Sequence, residues 1–402
     1  MVNDTSESRR AGLPLDGIRV LELGHTVMGP ACGLILADMG AEVIKIEKAP
    51  DGDATRRLTG SGAGLFGFFN RNKSSLVVDL KQEKGKRLLL KLAGISDVLI
   101  ENFAPGAMDR LGLGYDALSE INPGLVYCSL KGFLEGPYQN RPALDEVVEM
   151  MGGLAYMTGL PGRPLRVGAS VVDIMGGMFG VIGALVALME REKTGKGQMV
   201  KASLFESVAF LMGQHMAYHV MTGETVPPMS QRKITWGVYD IFTTSDQKQI
   251  FIGVTSDAHW RKLCQALKLQ RLSRDGKLDS NEGRAANRDT VIPALSDVIR
   301  AMRADELEST LESINIPFAP VAGPEDLFTH PQLTQGGGLL ETTLAGDRKT
   351  FLPRLPLRVA SHDFGLRNDP PALNEGALEL LQTLDLSEEE IRDLRQSGTL
   401  TV

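Results

Sequence analysis

The sequence predicts an α/β protein: a Rossmann-like parallel sheet in a large domain, with a smaller α+β domain attached. Three observations carry this. Short apolar strands alternate with helical stretches through residue 131, the spacing of a parallel sheet covered by helices on both faces. A polar stretch containing Pro227-Pro228 then breaks the pattern, and a hairpin and two helices follow it. The 402 residues are 43% hydrophobic and 23% charged, which is ordinary for a soluble chain with a substantial core.

Each element has its own signal. Gly17–Leu23 is a short apolar strand, and His25–Pro30 is a turn. Pro30 opens a helix that runs to Met39, where Gly40 closes it. Glu42–Glu47 is the next strand, completing a right-handed βαβ unit. Ser75–Asp79, Asp97–Glu101 and Gly124–Leu130 are further strands; an amphipathic helix, Glu83–Ala93, and a short helix after Pro105 lie between them. An apolar helix from Ile174 to about Arg191 has no charge before Glu190 and stops at Lys193–Gly197. Gln198–Ser203 is a strand and Leu204–Met221 a long helix.

Beyond the prolines, Tyr239–Thr244 and Gln249–Val254 read as a hairpin, followed by helices near Ala258–Leu267 and Arg288–Arg300. Pro317–Pro324 reads as the path back, Phe351–Arg358 as short strands, Asn374–Leu384 as a helix, and the remainder as a polar tail. The expected division is residues 1–222, a small domain at 223–325, and a return to the large domain at 326–402.

Composition excludes several function classes. The net charge of −7 gives no basic face for nucleic acid. Cys32, Cys128 and Cys264 are far apart with no metal-ligand spacing, so no metal is expected and the thiols read as buried in a reducing, cytoplasmic setting. The polar start Met1–Arg10 has no signal-peptide core. Val167–Met189 is long and apolar but holds Asp173 and several glycines, so it reads as a central buried helix and not a membrane span. Gly24 and Gly29 do not make a G-x-G-x-x-G fingerprint, which removes nicotinamide despite the topology.

The sheet fixes where a ligand should go: outside the carboxyl ends of the strands. Those ends carry Thr26, Val27 and Met28, then Lys48, Asn102 and Phe103, and Lys131. Asp173 stands at the mouth of the apolar helix. Locally it reads as a helix N-cap or as a nucleophilic carboxylate set by its surroundings, and the two roles are compatible.

Taken together, the motifs resemble the class III coenzyme A transferase family, the group of formyl-CoA:oxalate and carnitine CoA-transferases. They are Leu15–Leu23, Gly29-Pro30, Leu36–Glu47, Gly52-Asp53, Asn70-Arg-Asn-Lys-Ser-Ser75, Glu101–Gly106 with Leu111–Gly114, Lys131-Gly-Phe133, the Asp173 stretch and Lys193–Gln198, in that order. The resemblance implies Asp173 as the nucleophile. Its carboxylate would attack a donor thioester, pass through an anhydride, and then carry coenzyme A as an aspartyl thioester to an acceptor acid.

The resemblance also implies that Thr26, Val27, Met28, Lys48, Asn102, Phe103, Arg110 and Lys131 contact coenzyme A, with Arg141, Arg71 and Lys73 as further candidates. Asp145 matches an acid facing the active site, read as an orienting or structural group. The partners implied are an acyl-CoA and a small carboxylic acid. An interlocked homodimer is implied too, each subunit an open ring threaded by the other.

Three alternatives stand beside transfer. Acyl-CoA racemases share the fold but use a histidine where this chain has Leu144, which disfavours a two-base mechanism. A non-catalytic acyl-CoA-binding protein would not need Asp173. A nicotinamide oxidoreductase rests on topology alone. For the acceptor, Arg141, Arg163 and Arg166 flank the catalytic stretch and Arg232-Lys233 follow the linker. Arginine suits bidentate carboxylate binding, so a dicarboxylic acceptor with succinyl-CoA as donor is the expectation.

Overall fold

Four of the five residues of the first strand, Arg19–Leu23 (β1), are buried, as a strand covered by helices on both sides requires. The computed structural model describes residues 12–231, 235–384 and 386–401. After β1 come Met28–Asp38 (α1), Glu42–Lys48 (β2), Leu65–Phe69 (α2), Lys73–Val78 (β3), Glu83–Gly94 (α3), Val98–Glu101 (β4), Ala107–Leu111 (α4), Tyr115–Ile121 (α5) and Val126–Lys131 (β5). Asp145–Gly152 (α6), Leu154–Thr158 (α7), Val171–Thr194 (α8), Met199–Ser203 (β6) and Leu204–Thr222 (α9) follow.

The six strands form one sheet in the order β3-β2-β1-β4-β5-β6, every pair parallel. Chain direction across the sheet reverses between β1 and β4, so the ligand crevice of such a fold opens above their carboxyl ends. On one face, α1 and α8 pack over Val20, Ile100, Cys128 and Leu130. On the other, α3 packs Leu88, Leu89 and Leu92 over Leu21, Ile44 and Leu99.

Both key helices begin earlier than the sequence suggests. α1 starts at Met28, so Pro30 is its third residue, a position where a missing N–H breaks no intrahelical bond. α8 starts at Val171, which places Asp173 in its first turn with Ser170 as N-cap. Asp173 is therefore not the cap.

α8 is also not buried all round. Val172, Gly176, Gly180, Val181 and Ala184 are buried against α1 and the sheet. Met178, Ile182, Val186 and Met189 form the opposite stripe and are 49–64% exposed. On α9, Phe210, Met216, Val220 and Met221 are exposed as well.

The chain falls into two units, Met1–Ser230 with Gln332–Val402, and Gln231–Pro331. In the second, Val238–Thr243 (β7), Gln249–Val254 (β8) and Phe318–Pro320 (β9) form an antiparallel sheet in that order. Helices Asp257–Ala266, Arg288–Ile299 and Ala304–Ser313 complete its core with Trp260, Leu263, Leu295 and Leu307. Part of the stretch expected to be a plain return path is thus a strand.

In the first unit the returning chain makes the hairpin Leu339–Leu344 with Arg348–Pro353, then helices Ala377–Gln382 and Glu388–Gln396. The expected polar tail is this second helix, opened by a capping box between Ser387 and Glu390. Its Leu394, with Leu400 beyond, is buried against Leu76 and Val78.

Candidate active site

The crevice is built from two loops. Between β1 and α1, the turn closes on itself because two glycines touch: a Cβ on Gly29 would lie 2.8 Å from Gly24 Cα. At its apex Thr26 is exposed and adopts φ 65°, a left-handed conformation uncommon for threonine and met more often at functional turns. Val27 occupies the N-cap position of α1 and has no side chain able to cap it.

Asn102, just after β4, joins the two loops. Its Oδ1 accepts the His25 N–H at 3.0 Å, and its Nδ2 donates to the His25 carbonyl at 2.9 Å. Phe103 follows, its ring stacked on His25 with centroids 6.0 Å apart. The loop is held from below: Glu101 accepts the Phe103 N–H at 2.9 Å, and Lys131 binds both Glu101 oxygens at 2.6 Å and the Phe103 carbonyl at 2.8 Å. A cavity of about 200 Å³ lies beside Lys131, lined also by Tyr115, Ser129 and Gln139.

Asp173 is brought to this crevice by helix packing. Gly176 and Gly177 of α8 lie against Met28, where a Cβ on Gly177 would be 2.8 Å from the Met28 carbonyl oxygen. Ile174, the next residue to Asp173, packs on Val27, Ala31 and Phe69.

The start of α8 is capped from another helix. Asp145, the first residue of α6, accepts the N–H groups of Val172 and Asp173 on one oxygen, each at 3.1 Å. Its other oxygen pairs with Arg166 at 2.9 Å. Glu149, fully buried one turn on, accepts the Val167 N–H at 2.9 Å, while its second oxygen has no hydrogen-bond partner.

The carboxyl of Asp173 makes no hydrogen bond or ion pair among the described residues. Burial, with the negative Asp145 beside it, raises Asp173 to about 7, and Arg166 offsets this only in part. Burial likewise raises Glu149, and Asp145 adds to it. Two acids held up, with the one nearby cation tied to Asp145, make a site where an incoming donor group can drive ionisation.

The remaining residues singled out by sequence divide three ways. Lys48, at the end of β2, and Arg110, on α4, are exposed and form no ion pair among the described residues. Arg141 is exposed and lies over the Tyr138 ring at 5.6 Å. Val27 and Met28 are buried, 2% and 3% exposed, so at this turn it is His25 and Thr26 that are open to a ligand.

Arg71 and Lys73 do not reach the crevice. Arg71 pairs with Asp38 at 2.7 Å, and Lys73 pairs with Glu22 at 2.6 Å inside the sheet. Arg163 is exposed. Arg232 and Lys233 lie outside the described residues.

Sequence singled out Asp145 and Arg166 separately, but not their pairing, and it did not single out Glu149. One sequence signal did point inward: Glu22 and Lys45 each interrupt an apolar strand run, where an unpaired charge is costly.

Known proteins resemble this chain along nearly its whole length. The family model described as CoA-transferase family III matches residues 15–377. The acetyl-CoA:oxalate CoA-transferase of Acetobacter aceti is 33% identical, over 90% of this chain and 93% of that one. The succinyl-CoA–D-citramalate CoA-transferase of Chloroflexus aurantiacus is 33% identical, over 81% and 82%. The crystal structure of a CAIB/BAIF family protein from Brucella suis superposes with a TM-score of 0.85 at 32% identity, covering 92% of this chain and 99% of that chain.

Proposed function

The chain belongs to CoA-transferase family III, and on that footing we propose that it carries coenzyme A from a donor such as succinyl-CoA to a small dicarboxylic acid through intermediates on Asp173. It is an enzyme and a CoA-transferase. The observation that carries the Asp173 reading is its carboxyl: partnerless among the described residues, half-buried, raised to about 7, and set at the first turn of a helix against the crevice.

The steps balance without any other reagent. The Asp173 carboxylate attacks the donor carbonyl, forming a mixed anhydride and releasing the CoA thiolate. The thiolate attacks the aspartyl carbonyl, giving the aspartyl thioester and freeing the donor acid. The acceptor carboxylate attacks that thioester, releasing the thiolate again. The thiolate then takes the acceptor acyl group and restores Asp173. A carboxylate suits this work because both its anhydride and its thioester stay reactive. Exclusion of water protects them from hydrolysis, and backbone N–H donors at the tetrahedral stages each contribute roughly 3 kcal/mol.

Coenzyme A is read as lying over the β1/β4 crevice. Thr26 lines it with Val27 and Met28 shaping the turn from beneath, Asn102 and Phe103 form the facing wall, and Lys48 and Arg110 supply charge for the phosphates. Lys131 acts from behind, through Glu101 and Phe103. Arg141 and Arg166, which precede Asp173 in the chain, are the cations offered for an acceptor carboxylate.

The exposed apolar stripes of α8 and α9 support a homodimer, since large exposed apolar patches mark association surfaces. Three buried, unbridged thiols support a cytoplasmic setting.

The racemase reading has no base at its usual place: Leu144 is apolar and 71% exposed. The test is trapping. Incubation with succinyl-CoA followed by hydroxylamine or borohydride should modify the peptide containing Asp173, and Asp173→Ala should lower turnover by about 10³-fold or more. An unmodified peptide with full turnover in Asp173→Ala rejects the mechanism. Transfer to none of a panel of dicarboxylic acids rejects the acceptor class, and a monomeric mass by light scattering rejects the dimer.

A further inference from the structure

Glu22, Lys45 and Lys73 have side chains with no exposed surface, beneath the turn that opens the crevice. Buried charges persist only when paired and fully hydrogen-bonded. Lys45 Nζ lies 3.1 Å from Glu22 Oε1 and 3.0 Å from Asp53 Oδ2. Lys73 Nζ lies 2.6 Å from Glu22 Oε2 and 3.0 Å from Asn70 Oδ1.

Each ammonium has a further bond, and both go to the same turn. Lys45 donates to the Gly24 carbonyl at 2.8 Å, and Lys73 donates to the Pro30 carbonyl at 2.9 Å. Glu22 thus ties together two cations that hold the turn at its first and last residues. Gly33 leaves room for this, because a Cβ there would lie 1.9 Å from Glu22 Oε2.

We infer that Glu22, Lys45 and Lys73 are positioning residues for CoA transfer, fixing the Gly24–Pro30 turn from below in the shape that receives the acyl-CoA. This rests on the reading that the turn lines the coenzyme groove. Stability alone does not explain the arrangement, since apolar replacements of buried ion clusters are often neutral or stabilising. What an apolar cluster cannot do is grip two carbonyls on either side of a left-handed Thr26.

Titration separates the two roles. Burial pushes Lys73 down to about 8, with Glu22 of β1 opposing, Lys45 of β2 adding to it and Cys32 of α1 opposing weakly. Above that pH the folded chain has lost a proton that the unfolded chain keeps. Stability therefore does not fall with this deprotonation; it rises. The grip on Pro30 weakens all the same, because a neutral amine donates a weaker hydrogen bond.

The experiment measures coenzyme A affinity by calorimetry from pH 7 to 9 in the full-length chain, with thermal melts alongside. Affinity of the parent should weaken severalfold across pH 8 while the melting temperature rises. Lys73→Met should bind roughly tenfold more weakly at all pH, with a flat profile. The doubly neutral Glu22→Gln/Lys73→Met should behave likewise and guards against a misfolded single variant. A folded variant with the parent's affinity and pH course overturns the inference; if neither folds, a flat parent profile does so.

Thr26→Glu keeps this failure distinct from failure of the groove reading. If Thr26→Glu weakens binding and Lys73→Met does not, the positioning role alone falls. If neither affects binding, the turn is not the groove and both fall.

Discussion

The carboxyl of Asp173 holds its proton to about 7 in the folded chain, whereas the ordinary value is 3.8. Between those values the folded state binds more protons than the unfolded state. The associated stability is complete below the lower value and is lost as pH rises through the higher one. Asp173→Asn does not ionise, so its melting temperature should exceed the parent's by a margin that grows from pH 4 to pH 7 and then stays constant. A margin that is level with pH would show an unperturbed acid.

The same carboxyl should give kcat/KM an acid limb near 7 in the free enzyme. Asp145→Asn keeps an oxygen for the N–H groups of Val172 and Asp173 but removes the neighbouring negative charge. The limb should move down by about one pH unit; pH–rate profiles of the two proteins check it.

Asp173 stood out in the sequence because a lone acid opens a glycine-bearing apolar helix. Glu149 did not, because what makes it unusual is an orphaned buried oxygen, which only folding creates.

At the level of elements, the strands were readable, as were the starts of α3 at Glu83 and α9 at Leu204, but the starts of α1 and α8 were not. β1, β2, β4 and β5 are compact apolar runs between turn signals, and burial on both faces demands that composition. The start of α8 is fixed by Asp145, 28 residues before Asp173, and no local capping rule reaches that far. The start of α1 has a valine in the cap position. The C-terminal helix does carry its Ser387–Glu390 signature, but Ile391 and Leu394 are too few to show a period.

Packing between α1 and α8 depends on absent side chains. At Gly177 a Cβ would meet Met28 O at 2.8 Å and Cys32 N at 3.1 Å, both main-chain atoms that cannot swing away. Gly177→Ala should cost about 1–3 kcal/mol, read as a lower urea midpoint at unchanged m-value. Because α8 carries Asp173, turnover should fall as well. Unchanged stability would mean the two helices are free to separate.

The larger unit is assembled from two stretches of chain, with the smaller unit inserted between them. Arg71 and Asn72 both bind Asp38, and Asn72 Oδ1 accepts the N–H groups of Arg367 and Asn368 at 2.7 and 3.0 Å, pinning the returning stretch to the end of α1. The Asn70–Ser75 motif was legible as a motif, yet its partner lies almost 300 residues on, so its structural purpose was not. Leu394→Ala tests how much the return contributes: a loss of about 2–4 kcal/mol in chemical unfolding is expected. No loss would make the C-terminal helix an appendage.

That discontinuity sets an order on biosynthesis. Leu380, Leu381, Leu394 and Leu400 cover Leu76, Leu88 and Leu92, yet the ribosome makes them more than 280 residues later. Until they emerge, one side of the nascent sheet stays greasy and bare, while the inserted unit already has its whole sequence and can fold first. A nonsense codon just past residue 331 would therefore release a chain with an intact small unit and an unsealed large one, a substrate for chaperones and proteases.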